Sequence, residues 1–291
     1  MGMFRSKSPR PPGPGGNFLT GGLAGFISDP LTFMLDCARD HGDIVFFKLG
    51  WNPVFQVSDP EYIKEVLVSK GSVFPKAKLD IDVMGRFLGR GLITNGGEPH
   101  RRQRRLAQPA FHPRRVASYA DVMVEYTLEM MERWGTDEKR DIADEMTRLT
   151  MFIAARTLFG ADVSATAETA GHAIHVLQDI AQADYSRGFV PPEWLPTSGN
   201  RRLKKARSEF YTIVDRIIAE RRHAGGDQDR GDLLSMLLLA RDEETGEGMD
   251  DIQVRDEVTT LFTAGHETTA NALPWSGPFT CWPKIPRPGA S

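Results

Sequence analysis

The sequence predicts a mainly α fold with a small β-hairpin region near its N-terminus. Three observations carry that expectation. Apolar residues recur at helical spacing from about residue 80 to residue 273. Runs rich in β-branched and aromatic residues are confined to 44–49 and 54–57. The 291 residues are 40% hydrophobic and 26% charged, a balance that excludes disordered and collagen-like classes and suits an ordinary globular chain. A net charge of −3 gives no global basic excess, so neither nucleic acid nor an anionic membrane is an expected partner.

The elements follow in order. Residues 1–16 hold Pro9, Pro11, Pro12 and Pro14 among glycines, which favours an extended arm over helix or central strand. Residues 30–40 read as a helix, and 44–49 and 54–57 as a hairpin turning at 50–53. Asp59-Pro60 opens a further helix with Ile63, Val66 and Leu67 on one side. Helical periodicity then covers 101–107, 113–134, 142–159, 165–183, 201–223, 233–241 and 251–273. Within 142–159, Met146, Leu149, Thr150 and Ile153 mark a buried stripe. Loops are expected at 188–199, 225–231 and 243–249. The longest apolar run, 233–240, is interrupted by Ser235 and falls far short of the roughly 20 residues that cross a bilayer, so no membrane span is expected. Two cysteines, Cys37 and Cys281, are too few for a disulfide framework, and a cytoplasmic location follows as the expectation.

A discontinuity lies at Pro274. The last 18 residues hold 5 of the 19 prolines and show neither helical nor strand periodicity. Three segments are therefore expected: an arm at 1–16, a folded domain at 17–273, and a Pro-rich tail at 274–291 that is out of frame or disordered.

Chemistry concentrates in 250–273. An aspartate near its start can cap a helix, and Val254, Val258, Leu261 and Phe262 form an apolar stripe. The stripe then gives way to small and polar residues, with Ala264, Gly265, Thr268 and Thr269 bordered by His266 and Glu267. Small side chains let a flat ligand approach the helix. Equally, glycine and threonine can allow two helices to cross closely, and periodicity alone leaves both readings open. Glycine inside a helix costs about 1 kcal/mol relative to alanine, so Gly265 calls for a packing or a functional reason. A two-histidine zinc site fails at once, because position 270 is alanine, and no metal ligands are assigned.

The run Ala264-Gly265-His266-Glu267-Thr268-Thr269 resembles the oxygen-activation motif in the long central helix of cytochromes P450. A second segment, Gly97-Glu98-Pro99-His100-Arg101-Arg102-Gln103-Arg104-Arg105 with Pro109-Ala110-Phe111-His112 after it, is similar to the family's helix beside the haem. The resemblance implies that His100 and Arg104 hold a haem propionate, that Ala264 and Gly265 give oxygen room, and that Glu267 relays protons while Thr268 hydrogen-bonds the oxygen and its water. Residues four apart share a helix face, so His100 and Arg104 suit one carboxylate. Haem as cofactor, a small organic substrate, a redox partner and monooxygenation are implied in turn, with 71–96 and 185–199 as loop regions lining the substrate pocket.

Two family elements are missing after the oxygen helix: the Glu-x-x-Arg pair and the loop whose cysteine ligates iron. Cys281 lacks that loop's surrounding pattern, and Cys37 lies in an N-terminal helix, where a free cysteine is usually a small buried hydrophobe. The sequence is therefore expected to be a C-terminally truncated P450-like fold, lacking the haem-ligand portion, with the apolar stripe of its central helix exposed. A noncatalytic helical fragment and a partner-binding helical protein are the alternatives.

Overall fold

The computed structural model describes residues 10–17, 20–160, 166–225, 228–242 and 245–276. The expected tail from 277 onward, with Cys281, lies outside them, as do residues 1–9. In chain order the elements are α1 (Leu23–Ser28), α2 (Pro30–His41), β1 (Ile44–Leu49), β2 (Asn52–Val57), α3 (Pro60–Lys64), α4 (Lys78–Leu88), α5 (Gly97–Ala107), α6 (Pro113–Ser118), α7 (Ala120–Glu132), α8 (Ile142–Phe159), α9 (Ala167–Arg187), α10 (Ser198–His223), α11 (Leu233–Leu239) and α12 (Asp251–Trp275). The mainly helical expectation holds, with one antiparallel strand pair among the described residues. No helix of the described residues is long and apolar enough to cross a membrane.

The described chain forms two compact units. One comprises residues up to 84 together with 179–200. Its hairpin pairs Ile44 with Val57 and Leu49 with Asn52. Gly50 takes φ +60° at the turn, a value that favours a residue without a Cβ. Val45 and Phe47 alternate inward on β1 and pack with Cys37 of α2, which is 3% exposed, so the cysteine is the buried hydrophobe expected. Asp29 caps α2 by accepting from Thr32 N at 3.0 Å, with Pro30 in the first turn. The arm runs beside the hairpin, where Phe46 N donates to Pro12 O at 2.9 Å. Asn52 Nδ2 donates to Gly188 O at 2.7 Å and joins the hairpin to the 188–197 connection.

The second unit, 85–178 with 201 onward, is built on the crossing of α8 and α12. Phe262 sits at its centre. Its ring lies 5.7 Å from Phe159 and 6.0 Å from Phe210, and Phe210 lies 5.4 Å from Phe87, so one aromatic chain links four helices. A buried ion pair closes one end. Arg221 donates to Asp232 at 2.8 Å and to the Phe159 carbonyl at 2.7 Å, tying α10 to the start of α11 and the end of α8. Gly160, at φ +57°, ends α8, and a Cβ there would sit 2.6 Å from the Asp232 carboxylate.

Four expectations need correction. The 71–96 loop region contains α4, whose Val83, Phe87 and Leu88 are buried; interleaved Asp80 and Asp82 mask the apolar spacing. Of the 185–199 loop region, residues 185–187 end α9 and 198–199 begin α10. The single helix at 113–134 is two, broken at Tyr119, where Tyr119 N bonds the carbonyl three residues back and the Ser118 hydroxyl donates to Arg115 O. Pro274 does not stop α12, which runs to Trp275; proline near a helix end forfeits one bond while its fixed φ still suits the last turn.

Candidate functional site

Asp250 starts α12, accepting from Gln253 N at 2.7 Å as a capping aspartate should. From Val254 to Thr260 every residue but Arg255 is buried. The apolar stripe is therefore not exposed: Val254, Val258 and Phe262 are 0%, 1% and 5% accessible, because α8 and its neighbours cover them. Leu261 is only half-buried.

The motif segment divides by helix face. His266 and Ala270 continue the buried side, with His266 3% exposed. Its Nδ1 lies 3.5 Å from Thr150 Oγ1 on α8, and its ring meets Phe262 edge-on at 5.8 Å. Burial pushes the imidazole down from 6.5 to about 4, so it is neutral at ordinary pH. Gly265, Thr268 and Thr269 face out, while Ala264 and Glu267 are half-buried. The threonines do not open the helix. Thr268 Oγ1 donates to Ala264 O at 2.8 Å and Thr269 Oγ1 to Gly265 O at 3.3 Å, both within an unbroken α12.

Gly265 decides between the two readings of the strip. A Cβ there would meet only Leu158 Cδ1, at 3.7 Å, an ordinary contact. Among the described residues, close helix crossing therefore does not require the glycine.

The basic run on α5 is sorted the same way. Arg101 pairs with Glu98. Arg102 Nε and Arg105 Nη2 reach the buried Asp242 at 3.5 and 3.4 Å, and Arg102 also donates to the carbonyls of Glu247 and Gly248. Gln103, Leu106 and Ala107 face the core. Arg104 is exposed and His100 half-buried, four residues apart on one face. The run thus presents Arg101, Arg102 and Arg105 to acids, and Gln103, Leu106 and Ala107 to the core.

Sequence reasoning missed Asp256 and Glu257, which are 6% and 0% exposed on α12. Burial raises the Asp256 carboxyl, while the N–H of Arg90, 2.8 Å away, draws it back. Glu257 stands three residues from Val254, at the border of the apolar stripe, whereas Asp256 falls on the opposite side of the wheel, where periodicity carried no signal. Also missed was an apolar groove of about 630 Å³ between α6, α7, α8 and the end of α12, where Met123, Met130, Trp134 and Leu158 face Gly265 and Thr269. The lining of this groove includes neither His100 nor Arg104.

The cytochrome P450 family model matches residues 11–276. The chain belongs to the cytochrome P450 family. Among curated relatives, the chain is 39% identical over 269 residues to a cyclooctat-9-en-7-ol 5-monooxygenase of Streptomyces melanosporofaciens, covering 89% of this chain and 56% of the relative. It is 32% identical to a pentalenene oxygenase of Streptomyces avermitilis, covering 84% and 54%. The retinoic acid-bound cyanobacterial CYP120A1 superposes with a TM-score of 0.75 at 25% identity, over 91% of this chain and 58% of that one. This P450 chain thus spans little more than half the length of the relatives it matches.

The described residues suit the rim and one face of a haem. The His100–Arg104 face can take a carboxylate, and the Gly265–Thr268 strip leaves space that a Cβ would fill. A thiolate to hold the iron is not supplied by Cys37, which is buried among Val45 and Phe47 of the first unit.

Proposed function

We propose that this chain forms the oxygen-side and propionate-side walls of a haem monooxygenase that acts on a small organic substrate with electrons from a redox partner. The observation that carries the proposal is Gly265, a helix-interior glycine that packing does not need, beside an outward threonine hydroxyl. Bound haem would supply the redox chemistry that puts one atom of O₂ into an unactivated C–H bond. Such chemistry in this family draws on a thiolate ligand, which the described residues do not provide.

The chain's own residues would act as follows. His100 and Arg104 would grip a propionate from two positions on one helix face, charge-assisted on the arginine side. Ala264 and Gly265 would leave a depression at the helix surface. The Thr268 hydroxyl spends its hydrogen on Ala264 O, so its lone pairs point outward and accept a hydrogen bond from a proton-bearing ligand or water. Glu267, half-buried next to it, would deliver protons to that point by general acid chemistry. A largely hydrocarbon substrate is supported by the relatives' names, since cyclooctat-9-en-7-ol and pentalenene are of that kind. Sparse cysteine supports a cytoplasmic setting.

Haem titration of the purified chain, followed by absorption, tests the reading. Uptake is expected without a thiolate signature, and His100→Ala with Arg104→Ala should weaken it about tenfold or more. Uptake indifferent to both substitutions would overturn the assignment.

A further inference from the structure

Asp256 and Glu257 are two buried acids on α12 that take no part in the chemistry above, and both accept hydrogen bonds from one distant turn. Asp256 Oδ2 accepts from Arg90 N at 2.8 Å, and Glu257 Oε2 accepts from Leu92 N at 3.0 Å, across 166 and 165 residues of chain. The turn is shaped for this approach. Gly89 takes φ +63°, and a Cβ there would stand 2.3 Å from the Asp256 carboxylate; one on Gly91 would stand 2.0 Å from Thr260 Oγ1. Neither position has room for a side chain.

The same turn is tied forward to α5. Gln103 Nε2 and Asn95 Nδ2 both donate to Arg90 O at 2.7 Å, and Asn95 Nδ2 also reaches Gln103 Oε1 at 3.0 Å. Thr94 Oγ1 closes the turn by donating to Gly89 O at 2.8 Å. Residue Arg90 therefore gives its N–H to α12 and its carbonyl to α5. The buried Gln103 sits three residues from His100 and next to Arg104.

We infer that Asp256 and Glu257 are positioning residues that, through the 89–94 turn and Gln103, set the orientation of the His100–Arg104 face against the Gly265–Thr268 strip. The inference rests on reading those two surfaces as walls of one haem site. Buried acceptors on α12 suit the task, because a buried carboxylate oxygen that accepts from a backbone N–H cannot give up that partner for water without cost.

The test combines residue-resolved amide exchange with haem titration of the whole chain. Asp256→Ala and Glu257→Ala should each speed exchange at the amides of Leu92 or Arg90 that they bond, about tenfold or more, while amides of α8 and 258–266 stay as they were. Haem affinity should fall about tenfold in the same variants. Asp256→Asn and Glu257→Gln keep an acceptor oxygen and should remain within about threefold of the parent in both readouts. Unchanged exchange at Arg90 and Leu92, uniformly faster exchange throughout α8 and α12, or full haem affinity despite a loosened turn would each overturn the positioning role. If the parent chain takes up no haem but the turn and the amides of 103–107 loosen together, the anchoring of α5 stands and the haem reading falls.

Discussion

The two halves of α12 are built from similar residues and live in different surroundings. From Val254 to Phe262 the helix is enclosed by α8, by Phe210 of α10 and by the 89–94 turn, so even Asp256, Glu257, Thr259 and Thr260 are buried. From Ala264 onward only the His266–Ala270 side is covered, and Gly265, Thr268 and Thr269 look outward. Threonine serves as core in one half and as surface in the other. The lesson is that residue type does not decide the role along a helix; what packs against each face decides it.

The largest expected effect tests the enclosed half. Phe262→Ala removes the ring at the centre of the aromatic chain and should cost about 3–5 kcal/mol in denaturant unfolding. A loss under 1 kcal/mol would mean that this half is not the core.

His266 marks the boundary. Its folded value of about 4 lies below the unfolded 6.5, so folding favours the neutral ring, and the contribution is complete above pH 6.5. Stability should fall as pH drops from 6.5 to 4, by on the order of 3 kcal/mol, while the unfolded chain gains a proton and the folded one does not. Denaturation midpoints at several pH values for the parent and for His266→Leu will show it. A parent slope over that range no steeper than the variant's would place His266 on the open side instead.

Gly265→Ala sharpens the comparison with a change of opposite sign. The added methyl fits beside Leu158, and alanine is the better helix former, so unfolding should become harder by about 0.5–1 kcal/mol. Destabilisation would restore the close-crossing explanation. Thr268→Ala should have the smallest effect, within about 0.5 kcal/mol, since its hydroxyl is exposed and bonds only its own helix. A thermal melt suffices to check it, and a loss above 1 kcal/mol would show the open half to be load-carrying core.

Much of this was legible in the sequence. α8 and β1 fall at their expected bounds because an aspartate or a strand alternation fixes each locally. The two motif segments were legible because each is a short local pattern, with His100 and Arg104, and Ala264 and Thr268, four residues apart. α4 was not legible, since its apolar positions alternate with acids, and neither was the break at Tyr119, which turns on one hydroxyl. The partners of Arg102 and Arg105 could not be read either: Asp242 stands about 140 residues away, and only folding brings it to α5.

By itself the sequence determined the helices, the hairpin, the capping of α12 and the candidate site residues, because periodicity, caps and motif spacing act over a few residues. The tertiary structure decided which face of α12 is core, that no described residue crowds Gly265, and that Asp256 and Glu257 hold the turn before α5. Those outcomes depend on contacts between segments more than a hundred residues apart, and burial, which sets both the cost of a charge and the freedom of a side chain, exists only once those segments have met.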